Sequence, residues 1–516
     1  MGTLGLILLA TFASIEHIPT DSRIYTDIDI LKTSGLIRLM PSTSRPWTRA
    51  EAARLVAEAD SAARTTTLGP GQQAALDRLL WELGDELARS EHRHPLLRFP
   101  VPDIPGGFGW SDLIGRARAS NSQQQLTAGA VLGNRPGNDF CFYDRIEFSA
   151  FNPKLVRTED PAGVHLPGSR ANSWKDRVSV ETELAYFALR LPWVRFETGR
   201  DEFVWGPGYQ SSVMLSDNAP ALDHLQLCAS YRGFKYLGFT AMMSRWHEHH
   251  RFLSGQRLEL SLWNRLTLGG AMLNVFAWDS STTRDFAGML NLLVPLYFSV
   301  ANSSHCDNLL VGWDAALYLP QSKVYGQLFV DNYEFNNLRN APNAVGVQAG
   351  AFWSPRLPIR VRVEYAAVTA FTYYHRAHSI MFENYLTPLG HELGPDADRI
   401  LGRVELTPLP GWLETALCAD YTRRGYFNRG DYLRKSYYVG QTLPQTFPAR
   451  GIDSLGNVIE EVEGTFSVGP EIEVRPLRLP LHARLAVNYR LTASPEGSPG
   501  ERRSGVDFAL KVEYRY

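Results

Sequence analysis

The sequence lacks any apolar run of about 18 residues, the length with which an α-helix crosses a bilayer, and this excludes a helical membrane protein. It also lacks a charge excess, because its formal net charge is -2 at pH 7, so it has no basic surface of the kind that binds nucleic acid. Its 4 cysteines form no CxxC motif and no Cys/His pair, which argues against a zinc site and a disulfide framework. We therefore expect no metal and no cofactor.

What the sequence does contain is aromatic residues and strand-like alternation. Aromatic residues make up 11% of the chain, which suits the strands and interfacial girdles of a membrane barrel but also a soluble β-rich enzyme. From about Ser111 onward, apolar and polar residues alternate. Clear examples are 178–186, 481–491, the C-terminal segment that ends at Tyr516, and the set Ile359, Val361, Val363 and Tyr365, which alternates with Arg360, Arg362 and Glu364.

The polar set in these segments is heavily charged. It could form the solvated outer face of a soluble sandwich or the water-filled lumen of a barrel. Its repetition, together with the aromatic terminal residue Tyr516, favours a lumen, and strands of roughly ten residues match a bilayer crossing. We therefore predict a mainly β protein, a transmembrane antiparallel β-barrel of about 18 strands over residues 111–516, in the outer membrane of a Gram-negative bacterium.

The connections between these strands alternate in length. In barrels of this class the C-terminus and the short turns are periplasmic, whereas the long loops are external. Counting back from Tyr516, the external loops are 492–503, 423–463, 371–399 and 332–343, and the short turns are 475–480, 407–411 and 354–358. The alternation fails between Trp263 and Cys306, where Pro295 and a compact apolar run could form a loop helix.

The first hundred residues have a helical period instead. Residues 1–13 are predicted to be a signal peptide, possibly truncated since the positively charged start is missing; an ordinary buried segment is the alternative. Residues 14–94 predict a bundle of three amphipathic helices, the first ending at Gly35 and the second starting with the capping-box pattern of Thr48 and Glu51. Residues 95–110, with four prolines before Gly106 and Gly107, predict a linker.

Two loop segments combine turn residues with aromatic and polar side chains. The first includes Trp205-Gly-Pro-Gly208 and Leu215-Ser-Asp-Asn-Ala-Pro220, and the second runs from Thr369 to Asp398. Aromatic faces stack on sugar rings, and Asn or Asp side chains bind hydroxyls, so both segments predict contacts with polysaccharide. The candidate binding residues are Trp205, Tyr209, Asp217, Asn218, Tyr374, His375, His391, Asp396 and Asp398.

Each candidate also has a structural alternative. Trp205 could pack or anchor the chain beside a glycine-rich turn, and Asp217 and Asn218 could cap local backbone. His391, Asp396 and Asp398 could bind a cation, act as acid and base, or shape a loop. The inward-facing arginines could select anions or pair with acidic neighbours across the lumen. These arginines are Arg360, Arg362, Arg484 and Arg490.

At these segments the sequence resembles the Wzi capsule-assembly family of outer-membrane proteins. The stretches 205–220, 325–331 and 389–398 fit the family, as do Asp307-Asn308 and the helical start around Asp29, whereas the middle of the barrel and the loop 423–463 do not. The resemblance implies a barrel of about 18 strands whose N-terminal bundle plugs the periplasmic end. It also implies a lectin-like role, holding capsular or extracellular polysaccharide at the cell surface.

Three functional classes compete for this sequence. The favoured one is a surface barrel that binds polysaccharide. A solute channel is the second, and a bundle that plugs the barrel argues against it. A lipid or glycan hydrolase is the third, although no nucleophile elbow and no placeable carboxylate pair is present. We predict a protein that is not an enzyme, a monomer in outer-membrane lipid that contacts polysaccharide.

Overall fold

The computed structural model describes most of the chain. The described residues are 14–89, 94–100, 108–120, 124–135, 139–151, 178–245, 249–278, 307–332, 344–375, 378–385, 387–428, 447–448, 450–452, 458–479 and 481–515. The predicted signal peptide, the terminal Tyr516, Cys306 and the predicted loop helix around Pro295 therefore lie outside them.

In the described part of the chain, three helices precede the barrel: α1 (Ile24–Thr33), α2 (Arg49–Ala63) and α3 (Pro70–Glu82). Helix α1 is followed by Gly35, whose φ of 79° is the left-handed conformation that ends a helix. Helix α2 begins with a complete capping box between Thr48 and Glu51. The helical period of the sequence is thus confirmed in these three segments. None of the described helices is long and apolar enough to span a membrane.

Eighteen antiparallel strands close into one barrel, which confirms the predicted fold class and strand number. Each strand pairs with its sequence neighbours, and β18 pairs with β1 to close the ring, with Ala509 opposite Ser120. The strands are β1 (Phe108–Ser120), β2 (Gln124–Arg135), β3 (Phe140–Phe151), β4 (Val178–Arg190), β5 (Val194–Asp201), β6 (Leu222–Tyr231), β7 (Phe234–Met242), β8 (His250–Leu262), β9 (Leu266–Trp278), β10 (Asp307–Leu319), β11 (Ser322–Asn332), β12 (Ala344–Trp353), β13 (Ile359–Val368), β14 (Ala397–Leu409), β15 (Leu413–Arg424), β16 (Glu463–Val474), β17 (Leu481–Ala493) and β18 (Arg502–Arg515).

A further short strand, Leu97–Pro100, lies in the segment predicted as a linker. It pairs antiparallel with the start of β1, where Leu97 is opposite Ser111. Residues 101–107 of that segment lie outside the described residues. The chain between the helices and the barrel is therefore attached, at this point, to the barrel wall.

The connections divide the barrel into a short-turn end and a long-loop end. At the short-turn end, neighbouring strands are joined by connections such as 191–193, 232–233, 320–321 and 410–412, whereas 202–221, 369–396 and 425–462 lie at the other end. Where the alternation of the sequence had failed, 263–265 is a short turn between β8 and β9. Residues 279–306, which follow β9, lie outside the described residues.

Strand β13 shows the predicted separation of faces. Arg360, Arg362 and Glu364 are buried inside the barrel, whereas Val363 and Tyr365 are exposed outside. Strand β4 departs from the same prediction, because its apolar residues Leu184 and Tyr186 are buried inside the barrel. The pairing of β3 with β4 shifts register between Arg145 and Ile146, and such a shift moves side chains to the other face.

The helices lie inside the barrel at its short-turn end. Asp29 of α1 accepts hydrogen bonds from Lys323 Nζ at 2.8 Å and from the Tyr318 hydroxyl at 2.6 Å, both on the barrel wall. Lys32 Nζ donates to the carbonyl of Asn264 in a short turn at 3.0 Å. These buried polar contacts fix the bundle to the wall, while its apolar faces pack against one another and against Phe352.

Two of the long connections fold back into the lumen, and we call residues 202–221 and 369–396 the loop plug. They form an apolar core together with the inner faces of neighbouring strands. Its plug members include Phe203, Trp205, Val213, Met214, Leu215, Tyr373, Ile380, Phe382 and Leu389. The interior of the barrel is therefore filled by side chains next to strands β6 to β9.

Candidate functional site

The Trp205-Gly-Pro-Gly208 segment is part of the core of the loop plug. Trp205 is fully buried and makes an edge contact with Phe239, with the ring centroids 5.3 Å apart. Gly206 has a φ of 126°, and a Cβ there would lie 1.5 Å from Gln327 Nε2. Only glycine fits this position, because the backbone conformation and the close approach both exclude a side chain. The motif therefore shapes the plug.

The second motif is joined directly to the first. Ser216 N donates to the carbonyl of Leu389 at 2.7 Å, and Asn218 Nδ2 donates to the carbonyl of Pro388 at 3.0 Å. The Tyr373 hydroxyl donates to the carbonyl of Val213 at 2.8 Å. Two loops that are far apart in sequence thus form one hydrogen-bonded unit inside the barrel.

The polar residues of the second motif are also engaged in packing. His391 is fully buried, and burial lowers its pKa to about 3, so the ring is neutral. Asp396 accepts a hydrogen bond from Phe427 N at 3.0 Å. Asp398 pairs with Arg423 of the neighbouring strand, with Nε 2.9 Å from Oδ1. These contacts favour the structural alternative stated for all three residues.

A cavity of about 740 Å³ remains inside the barrel beside the helices and the loop plug. It extends from the short-turn end, where Trp81 and the turn residues 475–479 line it, to Tyr209 and Arg362 in the interior. Ligand pockets have volumes of about 300–1,000 Å³, so this cavity is large enough for a small molecule or a short oligomer.

The cavity brings together few of the residues selected from the sequence. Tyr209 and Asp217 line it, and both are half-buried. Asp217 has a raised pKa because of burial. Tyr374 and His375 are half-buried in the loop plug, and burial lowers the pKa of His375. The predicted residues that do not line this cavity are Trp205, Asn218, Tyr374, His375, His391, Asp396 and Asp398.

Three of the four inward-facing arginines pair with carboxylates, as one of the two alternatives anticipated. Arg360 lies 2.7 Å from Glu405, Arg484 lies 2.7 Å from Glu471, and Arg490 lies 2.8 Å from Asp507. Arg362 instead stacks on the ring of Tyr209, with its guanidinium carbon 3.9 Å from the ring centroid. Arg362 therefore differs from the other three arginines in being held by an aromatic ring instead of a carboxylate.

Within the described residues, one cluster has the donor set of a metal site: His17, Glu197 and Asp201, all buried. His17 Nδ1 lies 2.5 Å from Asp201 Oδ2, and its Nε2 lies 3.1 Å from Glu197 Oε2. Burial alone would lower the pKa of His17, but Glu197 and Asp201 together raise it to about 9. The Arg195 guanidinium also lies 2.7 Å from Nε2, where it would repel a cation. We interpret the cluster as an ion-paired anchor of the N-terminal segment.

Several cavity residues were not selected from the sequence. His17 and Arg23 come from the N-terminal segment, whereas Arg403 comes from strand β14 and Glu471 from strand β16. The alternation of charged and apolar residues was the signal for Arg403 and Glu471, because it places both on an inner face. No local pattern marks His17, because its partners are about 180 residues away.

The comparisons with known proteins agree with this architecture. The sequence model of the family described as capsule assembly protein Wzi matches residues 113–428. No curated protein sequence matches the chain. Among solved structures, the chain is similar to Wzi of Escherichia coli, described as an outer membrane protein involved in group 1 capsule assembly and a carbohydrate-binding β-barrel. The TM-score is 0.61 at 15% identity, and the match covers 96% of this chain and 98% of that chain.

The chain is also similar to two outer-membrane barrels with lower scores. For OprD of Pseudomonas aeruginosa the TM-score is 0.46 at 10% identity, over 80% of this chain and 96% of that chain. For the channel DcaP of Acinetobacter baumannii it is 0.38 at 11% identity, over 81% of this chain and 100% of that chain. Neither likeness carries a functional argument.

The family match extends over more than half of the chain, and it confirms the resemblance carried by the two loop motifs. The closed barrel agrees with the family, whose E. coli member is an outer-membrane protein. The chain therefore belongs to the capsule assembly protein Wzi family and is an outer-membrane protein of a Gram-negative bacterium.

Proposed function

We propose that this protein binds capsular or extracellular polysaccharide and holds it at the cell surface without cleaving it. The observation that carries the proposal is the match of residues 113–428 to the Wzi family, whose E. coli member is described as a carbohydrate-binding barrel. In this proposal the long-loop end faces the outside of the cell and the short-turn end faces the periplasm.

The filled lumen supports a binding role over a transport role. The loop plug and the helices occupy the interior with buried side chains such as Trp205, Phe382 and Leu31. A barrel that served free diffusion would need a continuous aqueous path. We further propose that the protein acts as a monomer and that its exposed apolar belt contacts outer-membrane lipid.

The test is polysaccharide retention in cells with and without the gene. Deletion should leave polysaccharide synthesis intact but move the polymer from the cell fraction into the medium, and a plasmid copy should reverse this. Equal amounts of cell-attached polymer in both strains would contradict the binding role. Size analysis of polymer incubated with the purified protein tests the non-enzymatic part, because shortening of the chains would indicate hydrolysis.

A solute channel is the second candidate, because the cavity reaches the short-turn end of the barrel. Planar-bilayer recording separates the two. We expect the intact protein to show no large steady conductance, since the loop plug and the helices occupy much of the lumen. Large steady currents would favour the channel.

A further inference from the structure

The wall of the cavity carries more arginine than carboxylate at its inner end. Arg362, Arg403 and Arg484 line this end from strands β13, β14 and β17. Arg360 projects inward beside them from β13 but does not line the cavity. Two glutamates bridge three of these four arginines: Glu405 contacts Arg360 and Arg403, each at 2.7 Å, and Glu471 contacts Arg403 and Arg484, each at 2.7 Å. The three arginines that line the cavity here face two lining glutamates, Glu405 and Glu471, and this excess of one positive charge favours an anionic occupant.

Arg362 forms no ion pair within 4.0 Å with a carboxylate of the described residues, although it is only 5% exposed. Its guanidinium carbon lies 3.9 Å from the centroid of the Tyr209 ring and 4.5 Å from that of Phe352. The guanidinium is thus stacked on the Tyr209 ring and lies close to the Phe352 ring. Stacking leaves the edge of a guanidinium available, because its donors lie in the plane of the group.

Two of those donors need an acceptor. Within the described residues, Nε and Nη2 of Arg362 have no hydrogen-bond partner. A buried charged donor without a partner costs free energy, so an acceptor other than the described residues, such as water or a ligand, would stabilise the group. Since Arg362 lines the cavity, that acceptor would be supplied from the cavity.

The chemistry of the acceptor follows from the donor geometry. Two adjacent N–H groups in one plane match the two oxygens of a carboxylate in a bidentate pair. Elsewhere in its lining the cavity offers groups suited to hydroxyls, namely the exposed amide of Gln210 and the carboxylate of Asp217. A ligand that carries one carboxylate among several hydroxyls satisfies both features.

We propose that this cavity binds an acidic saccharide, a short oligosaccharide containing a uronic acid, whose carboxylate pairs with the Nε and Nη2 edge of Arg362. This inference rests on the proposed polysaccharide-binding function and adds an internal site, which the ligand enters from the short-turn end. The long connection 202–221 contributes Tyr209, Gln210 and Asp217 to this site.

The direct test is calorimetric titration of the full-length protein in detergent with trigalacturonic acid and, in parallel, with neutral maltotriose. We expect trigalacturonic acid to bind at least tenfold more tightly, with an affinity that falls as sodium chloride is raised. The variant Arg362→Gln should weaken trigalacturonic acid at least tenfold and leave maltotriose unchanged. Equal binding of the acid by the wild type and the variant would overturn the proposal.

The matched control is Arg490→Gln, which also removes an inward-facing arginine from a strand but lies outside the cavity lining. It should change the affinity by less than twofold. Gln210→Trp adds bulk at an exposed position and does not disturb a buried charge; it should weaken both sugars. The variant Gln210→Trp keeps the test decisive if Arg362→Gln fails to fold. Unchanged binding in Gln210→Trp would place the sugar elsewhere.

Inorganic phosphate serves as the competitor that separates a saccharide site from a general anion site. We expect millimolar phosphate to displace trigalacturonic acid only weakly. Displacement at equal concentration would show that only the charge is recognised and would overturn the saccharide part. If deletion cells shed polymer while Arg362→Gln binds the acid normally, the cavity inference fails and the proposed function stands. If deletion cells retain the polymer, the proposed function fails instead, whatever the titrations show.

Discussion

The two sides of the barrel interior differ in how they are filled. On the side of β8, the loop plug packs against the inner face of the wall: Leu253 lies in its apolar core, and Arg251 donates hydrogen bonds to the carbonyls of Ser379 and Met381. On the side of β17, no residue of the strand is buried, and the inward-facing Arg484 is 48% exposed even though it pairs with Glu471. One side is a packed core and the other is a hydrated, charged wall. The difference locates stability on the first side and the capacity for a ligand on the second.

Replacing Trp205 with alanine should cause the largest loss of stability, since it would leave a cavity in the packed side of the barrel. Removal of a fully buried tryptophan costs about 3–5 kcal/mol when the surroundings cannot collapse. Urea unfolding in detergent measures the loss, and bilayer recording should show new conductance through the loosened plug. Trp193→Ala is the control, because Trp193 is 71% exposed on a short turn; a comparable loss there would contradict the distinction.

Replacing Asp29 with asparagine tests the polar attachment of the helices. It would leave the buried Lys323 ammonium without its carboxylate, and breaking a buried pair typically costs about 3–5 kcal/mol. We expect about 3 kcal/mol, since the Tyr318 hydroxyl can still bond the amide oxygen. Faster proteolysis of the helical segment in the folded protein is the readout. Restoration by Lys323→Met in the double variant would confirm that the unpaired charge is the cause.

The His17 anchor should make the attachment of the N-terminal segment depend on pH. Its pKa in the folded protein is raised to about 9, above the ordinary 6.5, so its contribution is fully present below pH 6.5 and is lost as the pH rises through 9. We expect a loss of about 2 kcal/mol between pH 7 and pH 10. Thermal unfolding over that range measures it. His17→Gln should abolish the pH-dependent component, and an unchanged slope in that variant would refute the assignment.

The smallest effect is expected for Arg490→Gln on the hydrated wall. Its pair with Asp507 is 2.8 Å long, but the two side chains are 55% and 35% exposed. Solvent-exposed pairs contribute about 0–1 kcal/mol. Urea unfolding should therefore show a change below about 1 kcal/mol. A loss as large as that of Asp29→Asn would mean that the two sides do not differ as described.

The contrast also explains which sequence inferences succeeded. The alternation in β13, the capping box before α2 and the alternating long and short connections each depend on neighbours in the sequence, so they could be predicted and are confirmed. The burial of Leu184 and Tyr186 inside the barrel could not be predicted, because a single register shift near Arg145 reverses the face on which the following side chains lie. Periodicity assigns residues to alternating faces but does not reveal a bulge.

The candidate residues show the same limit. Trp205 and His391 stand out in the sequence because their glycine-rich surroundings are unusual. In the structure, both side chains are buried within the loop plug. Arg362 and Arg403 look like any other alternating charge. They differ because Arg403 pairs with Glu405 on its own strand and with Glu471 on β16, whereas Arg362 forms no such ion pair among the described residues. Partners of that kind become visible only when the strands are placed side by side.

The sequence by itself thus determined the class of fold, the approximate number of strands, the helical start and, through its two loop motifs, the family. These properties follow from periods of two and 3.6 residues and from local turn chemistry. The tertiary structure alone decided that the loops turn inward, that His17 is held between two carboxylates, and that an arginine edge faces a cavity. Each of these depends on contacts between residues more than a hundred positions apart, which no local pattern records.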